Sequence, residues 1–142
     1  MALAYDDLVE TLTATYPDVE WSYVGDGTTL DGLAWPDDQP PTLDDLEASF
    51  EQARREAVRA AKLAEIKAAL YACDWWAARA YEESVAMTDE RIAYRQALRD
   101  LFQEVAALDV VLLGGTTAET AAATRTALEE VVLPDVPAAP VF

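Results

Sequence analysis

The chain has 142 residues, 52% of them hydrophobic, which is enough for one domain with a modest core and too few for two ordinary ones. Its formal charge of −17 creates a field that repels phosphate backbones and anionic lipid; this argues against nucleic-acid or membrane binding and favours basic protein partners. The lack of histidine and the single cysteine, Cys73, remove the commonest general base, a zinc site and an internal disulfide.

The charge is uneven along the chain. Residues 1–53 hold thirteen acids and no base, residues 54–99 hold nine of the ten basic residues against seven acids, and residues 100–142 return to a net of −6. The simpler reading of this acidity is solubility. Met1 to Asp7 carry two acids and no base, and no apolar run approaches a signal h-region or a membrane span, so a soluble cytoplasmic protein is expected.

Tyr5, Leu8, Val9, Leu12 and Tyr16 recur at helical spacing and Pro17 stops the run, which predicts a short amphipathic helix over 4–16. Val19, Trp21 and Tyr23 then alternate, Gly25-Asp26-Gly27 reads as a turn, and a second extended run passes Leu30 and Leu33 to Trp35. Together these predict a small β-hairpin, with Gly32 marking a break or bulge. Two strands alone are marginal in water, so the hairpin must lean on a helix or a partner. Residues 1–41 are thus read as a helix-plus-hairpin module and residues 42–142 as a helical region with an extended tail, the two forming one continuous domain.

After Pro36, Pro40 and Pro41, Thr42 reads as an N-cap, with Asp44, Asp45 and Glu47 where a helix dipole favours negative charge. No Gly or Pro follows until after Cys73, so the helix would run for roughly 45 Å. Its apolar positions start as Leu43, Leu46, Phe50, Ala53, Ala57 and Ala60 and change phase to Leu63, Ile66, Leu70 and Cys73. The two halves should therefore face different neighbours, with the alanines permitting close approach by another helix. Trp75, Trp76 and Tyr81 read as an aromatic turn. Thr88 caps the next helix, which should continue to Gly114-Gly115, with Tyr94, Leu98, Leu101, Val105, Leu108 and Leu112 along one seam. Thr116 and Glu119 form a capping box for a last helix from 117 to about 132, and the three prolines within residues 133–142 predict an extended tail.

No catalytic set emerges. Cys73 has no recognisable activating base and lies on an apolar stripe. The adjacent acids Asp6-Asp7, Asp37-Asp38, Asp44-Asp45, Glu82-Glu83 and Glu129-Glu130 diverge by about 100 degrees on a helix and read as solvated faces and caps. Asp26, Thr28 and Asp31 could offer oxygens to Ca²⁺, but the spacing is not that of an EF-hand and a turn fits better. No cofactor is expected. The aromatic residues are more telling: Trp21, Tyr23, Trp35, Trp75, Trp76 and Tyr81 either close a small core or supply an exposed anchor, and Trp75 and Trp76 cannot both point inward from one turn. The candidate protein-binding residues are Trp75, Trp76, Tyr94, Leu98, Leu101 and Val105, set against the alternative that the seam serves an intramolecular helix pair.

Two blocks carry a family resemblance. YPDVEWSYVGDGTTLDGLAWPDDQPPTLDDLEA resembles a hairpin module of phage tail-associated proteins. The Leu70-to-Trp75 segment, followed by Thr88, Glu90, Arg91 and Tyr94-Arg95-Gln96-Ala97-Leu98-Arg99-Asp100-Leu101, is similar to the helical hairpin of bacteriophage tail assembly chaperones. The resemblance implies a mainly α fold with a small β-hairpin (α+β), built as a long antiparallel helical hairpin with an N-terminal helix and the hairpin module. It also implies a non-enzymatic protein that binds tail or tail-fibre polypeptides in the host cytoplasm. The extra helix after Leu113 departs from that pattern and would suit a subunit retained in the virion tail, for which a homo-oligomer of cyclic symmetry is a further expectation. A third alternative is an acidic inhibitor that mimics DNA.

Overall fold

Three of the helices start where a threonine hydroxyl can accept a hydrogen bond from a backbone N–H of the first turn. In the computed structural model, which describes residues 3–138, Thr42 Oγ1 accepts from Asp45 N at 3.1 Å, Thr88 Oγ1 from Arg91 N at 3.3 Å and Thr116 Oγ1 from Glu119 N at 3.1 Å. Among the described residues the elements are α1 (Tyr5–Thr15), β1 (Ser22–Tyr23), β2 (Leu33–Ala34), α2 (Leu43–Ala72), α3 (Asp74–Glu82), α4 (Asp89–Ala107) and α5 (Thr117–Glu129). The fold is mainly α with a small antiparallel hairpin, as expected. The described residues form two compact units, one made of residues 3–56 and 110–125, the other of residues 57–109 and 126–138.

In the first unit Leu8 and Leu12 of α1 pack with Leu3, Tyr23 and Leu46, and Trp21, Trp35, Tyr16 and Phe50 close around them. Tyr16 meets Trp35 edge to face at 5.0 Å, so both hairpin tryptophans serve this core. The strands pair Ser22 with Ala34 and Tyr23 with Leu33, and are only two residues long. The tight turn expected at Gly25-Asp26-Gly27 is instead a longer connection over residues 24–32. The reason is Tyr23, whose hydroxyl donates to Thr29 O at 2.8 Å and accepts from Gly27 N at 2.9 Å, folding the loop over its own strand. Gly27 has φ +90°, and a Cβ there would lie 2.5 Å from Leu3 O. At Gly32 a Cβ would collide with the Val24 carbonyl, so this glycine marks a close approach of the two ends of the connection.

Buried charge completes this unit. Glu51 on α2 is 2% exposed and pairs with Arg125 of α5 at 3.4 Å. The alanines expected to line the first half of α2, Ala53, Ala57 and Ala60, are exposed, while Glu47 and Glu51 are buried. Replacing a carboxylate's lost hydration requires a counter-charge, and Arg125 supplies it.

The second unit contains Ile66 on α2, Cys73 just after it, Trp76 on α3, Tyr94, Leu98 and Val105 on α4, and Leu128 on α5 as one core cluster. Arg59 of α2 reaches the C-terminal end of α4, and Cys73, just past the far end of α2, meets Arg95 near the start of α4, so the pair runs antiparallel. The phase change in α2 is explained: Leu43, Leu46 and Phe50 belong to the first cluster, and Leu63, Ile66, Leu70 and Cys73 to the second.

Two further expectations are corrected. The aromatic turn is a nine-residue helix, α3, closed by Ser84 in the left-handed region (φ 53°), with Val85 N donating to Ala80 O at 3.0 Å and Ser84 N to Tyr81 O at 3.3 Å. And α4 stops at Ala107, short of Gly114. Its last carbonyls are taken by Arg59, whose Nη1 donates to Val105 O at 2.7 Å and Ala106 O at 3.2 Å and whose Nη2 donates to Leu108 O at 2.9 Å. Beyond that point Val110 N turns away to Thr124 Oγ1 at 2.9 Å, so Leu112 never joins the seam. The last helix ends at Glu129, residues 131–138 form no regular element, and the remainder of the expected extended tail, residues 139–142, lies outside the described residues.

Candidate interaction surface

The corner between α2 and α3 is a single residue, Cys73, and it is fastened to α4. Arg95 Nη1 donates to Cys73 O at 2.8 Å and to Asp74 Oδ1 at 3.2 Å, and approaches Cys73 Sγ at 3.4 Å. This fixes the direction in which α3 leaves the corner, and with it the two tryptophans in its first turn.

Trp76 turns inward. Its ring lies 5.8 Å from that of Tyr94, and the Arg91 guanidinium sits 4.3 Å above it. Trp75 turns outward, 48% exposed, in an edge-to-face contact with Trp76 at 6.4 Å. The same guanidinium lies 5.5 Å from the Trp75 ring, so one buried arginine braces both indoles. Burial of the Tyr94 phenol, aided by the negative charge that Cys73 would carry when ionised, raises its pKa above the ordinary value of 10.0.

Of the residues singled out from sequence, Trp76, Tyr94, Leu98 and Val105 are buried, and Leu101 is half-buried against the same cluster. The seam is met by Ile66 and its neighbours on α2, which is the intramolecular pairing weighed above. Of the six candidate binding residues, Trp75 is the one that keeps a large free face. Tyr71, Tyr81, Val85 and Ile92 are also exposed in this unit. The residues that sequence reading passed over are Arg91 and Arg95. Arg91 precedes Tyr94 by three positions and Leu98 by seven, so helical spacing already placed it on the buried seam.

The surface is suited to recognition: a rigid aromatic anchor keeps its conformation on binding and loses little entropy. Among the described residues no cluster of three or more His, Cys, Asp and Glu side chains could hold a metal ion, and no helix is long and apolar enough to cross a membrane. At the hairpin loop the Asp26 carboxylate accepts from Thr28 N at 2.9 Å and Thr28 Oγ1 at 2.6 Å, bonds that hold its pKa below the usual value and make it a loop brace. No protein-family model, curated protein or solved structure matches the chain.

Proposed function

We propose that this chain is a non-enzymatic phage tail protein of the assembly-chaperone type, which binds other tail or tail-fibre polypeptides through the surface centred on Trp75. One observation carries the reading: an indole left half in solvent while its neighbour, Trp76, is buried and Arg91 holds both in place. Exposing part of a tryptophan has no benefit for folding, whereas a pre-positioned indole is a strong binding anchor. The resemblance of residues 60–101 to tail assembly chaperones supplies the partner class.

The test is affinity purification of the tagged chain during assembly of the phage that encodes it, compared with Trp75→Ala. Tail polypeptides should co-purify with the parent and be lost with the variant, while the variant melts within a few degrees of the parent, because half of that ring is already in water. Co-purification untouched by the substitution would refute the role of this surface. Retention in the particle is the second reading, favoured by the way α5 contributes Leu128 to the second core. Mass spectrometry of finished particles decides between the two: a stoichiometric subunit is found there and a released chaperone is missing.

A further inference from the structure

Residues 111–113 in the first unit display apolar side chains where a loop ordinarily carries polar ones. Gly115 N donates to Leu112 O at 3.1 Å and Gly114 has φ +73°, which makes Leu112–Gly115 a hydrogen-bonded turn with Leu113 at its tip. Leu113 is 100% exposed and Val111 81%. The turn is a defined structure, and it holds a leucine fully in water.

The ground beside this turn is acidic. Three residues beyond Leu113, and therefore within about 10 Å of it along the chain, Thr116 begins the lining of a cavity of about 550 Å³. Its lining also includes Asp44, Asp45, Glu47 and Glu119 together with Ala48 and Ala122. The segments of this unit hold fifteen acids against three bases, a net of −12. A second copy of the chain would bring the same charge to the same place, so this face disfavours self-association.

We infer that the Leu113 turn and the adjoining acidic cavity form a docking surface for a basic polypeptide segment, in which an apolar side chain of the partner packs on Leu113 and Val111 while a lysine or arginine enters the cavity. A long cationic side chain fits both features of that space, its hydrocarbon stem against the alanines and its charge among the carboxylates. The inference rests on the reading that the chain works by binding polypeptides, but it uses residues other than Trp75, so each can fail alone.

The test uses the full-length protein and a fluorescent peptide of alternating lysine and leucine, with a lysine-only peptide as the charge control. Anisotropy titrations compare the parent with Leu113→Ser, with the pair Asp44→Asn and Glu119→Gln, and with a control pair, Asp18→Asn and Asp38→Asn, which does not line the cavity. Leu113→Ser should weaken the lysine–leucine peptide about tenfold and leave the lysine-only peptide unaffected. The cavity pair should weaken both peptides, most at low salt, and by more than the control pair does. In ¹⁵N correlation spectra the shifts should gather at residues 43–48 and 111–122. Equal loss from the control pair, indifference to Leu113→Ser, or sedimentation showing a dimer that Leu113→Ser abolishes would each overturn the inference.

Discussion

Replacing Arg59 tests the account of how α4 ends. The Arg59 side chain is 12% exposed, and its guanidinium donates at 2.7, 3.2 and 2.9 Å to the carbonyls of Val105, Ala106 and Leu108 at the end of α4, of which Val105 O also accepts from Leu108 N at 3.5 Å. A hydrogen bond to a charged group contributes about 1.5–3 kcal/mol, but water can reach the exposed Ala106 once the arginine is gone, and contributions within one cluster do not add. The expected loss for Arg59→Ala is therefore about 2–4 kcal/mol, or a fall in Tm of roughly 6–12 °C for a chain of this size. Arg59→Lys keeps the charge near the helix dipole but cannot span three acceptors, so it should recover less than half of that. Urea titration followed by tryptophan fluorescence suits the measurement, because Trp76 belongs to the same core cluster. A loss under about 0.5 kcal/mol in Arg59→Ala, or full rescue by lysine, would mean that α4 ends for another reason and that the network is a surface detail.

Ser84 is in the left-handed region with no glycine to ease it, so Ser84→Gly should stabilise the chain by about 0.5–1 kcal/mol, read as a higher urea midpoint at unchanged slope. A destabilised variant would show that the serine side chain is needed there. Burial raises the pKa of Tyr94, so its contribution to stability is complete below the unfolded-state value near 10 and is lost as pH rises through the higher folded value. Absorbance titration should show one phenol ionising after the others, and Tyr94→Phe should remove that step and flatten the fall of stability at alkaline pH. A late step that persists in Tyr94→Phe would assign it to another tyrosine.

How much of this was legible in the sequence depends on how far apart the determining residues lie. The caps at Thr42, Thr88 and Thr116 act over three residues and could be read directly. The seam through Tyr94, Leu98 and Val105 follows from helical spacing and is buried as a stripe should be. The end of α4 could not be read locally, since the arginine responsible comes 46 residues before its first carbonyl. The hairpin loop was also hidden, because alternation of side chains carries no sign that a tyrosine hydroxyl will fold back over its own strand. In α2 the reading chose Ala53, Ala57 and Ala60 for the inner face, whereas Glu51 is the residue inside. Alanine is a strong helix former wherever it sits, and a carboxylate can be buried once a counter-charge such as Arg125 arrives from a distant segment.

The same limit applies to finding a binding surface. A strong apolar stripe shows that a helix has a neighbour without saying whose, and here Ile66 and Cys73 of the same chain satisfy it. What marks a place for another molecule is the apolar group that the fold supports and still leaves in water. Trp75 is held by Arg91 and keeps about half its surface free, and Leu113 is raised on a hydrogen-bonded turn with nothing upon it. Neither lies on a regular stripe, so neither stands out by periodicity. The surrounding charge then narrows the partner: about Leu113 the acids require a cationic segment, whereas Trp75, backed by a guanidinium, makes no such demand. One chain can thus offer two surfaces of different chemistry, and substitutions at Trp75 and Leu113 should impair different partners or different segments of one partner.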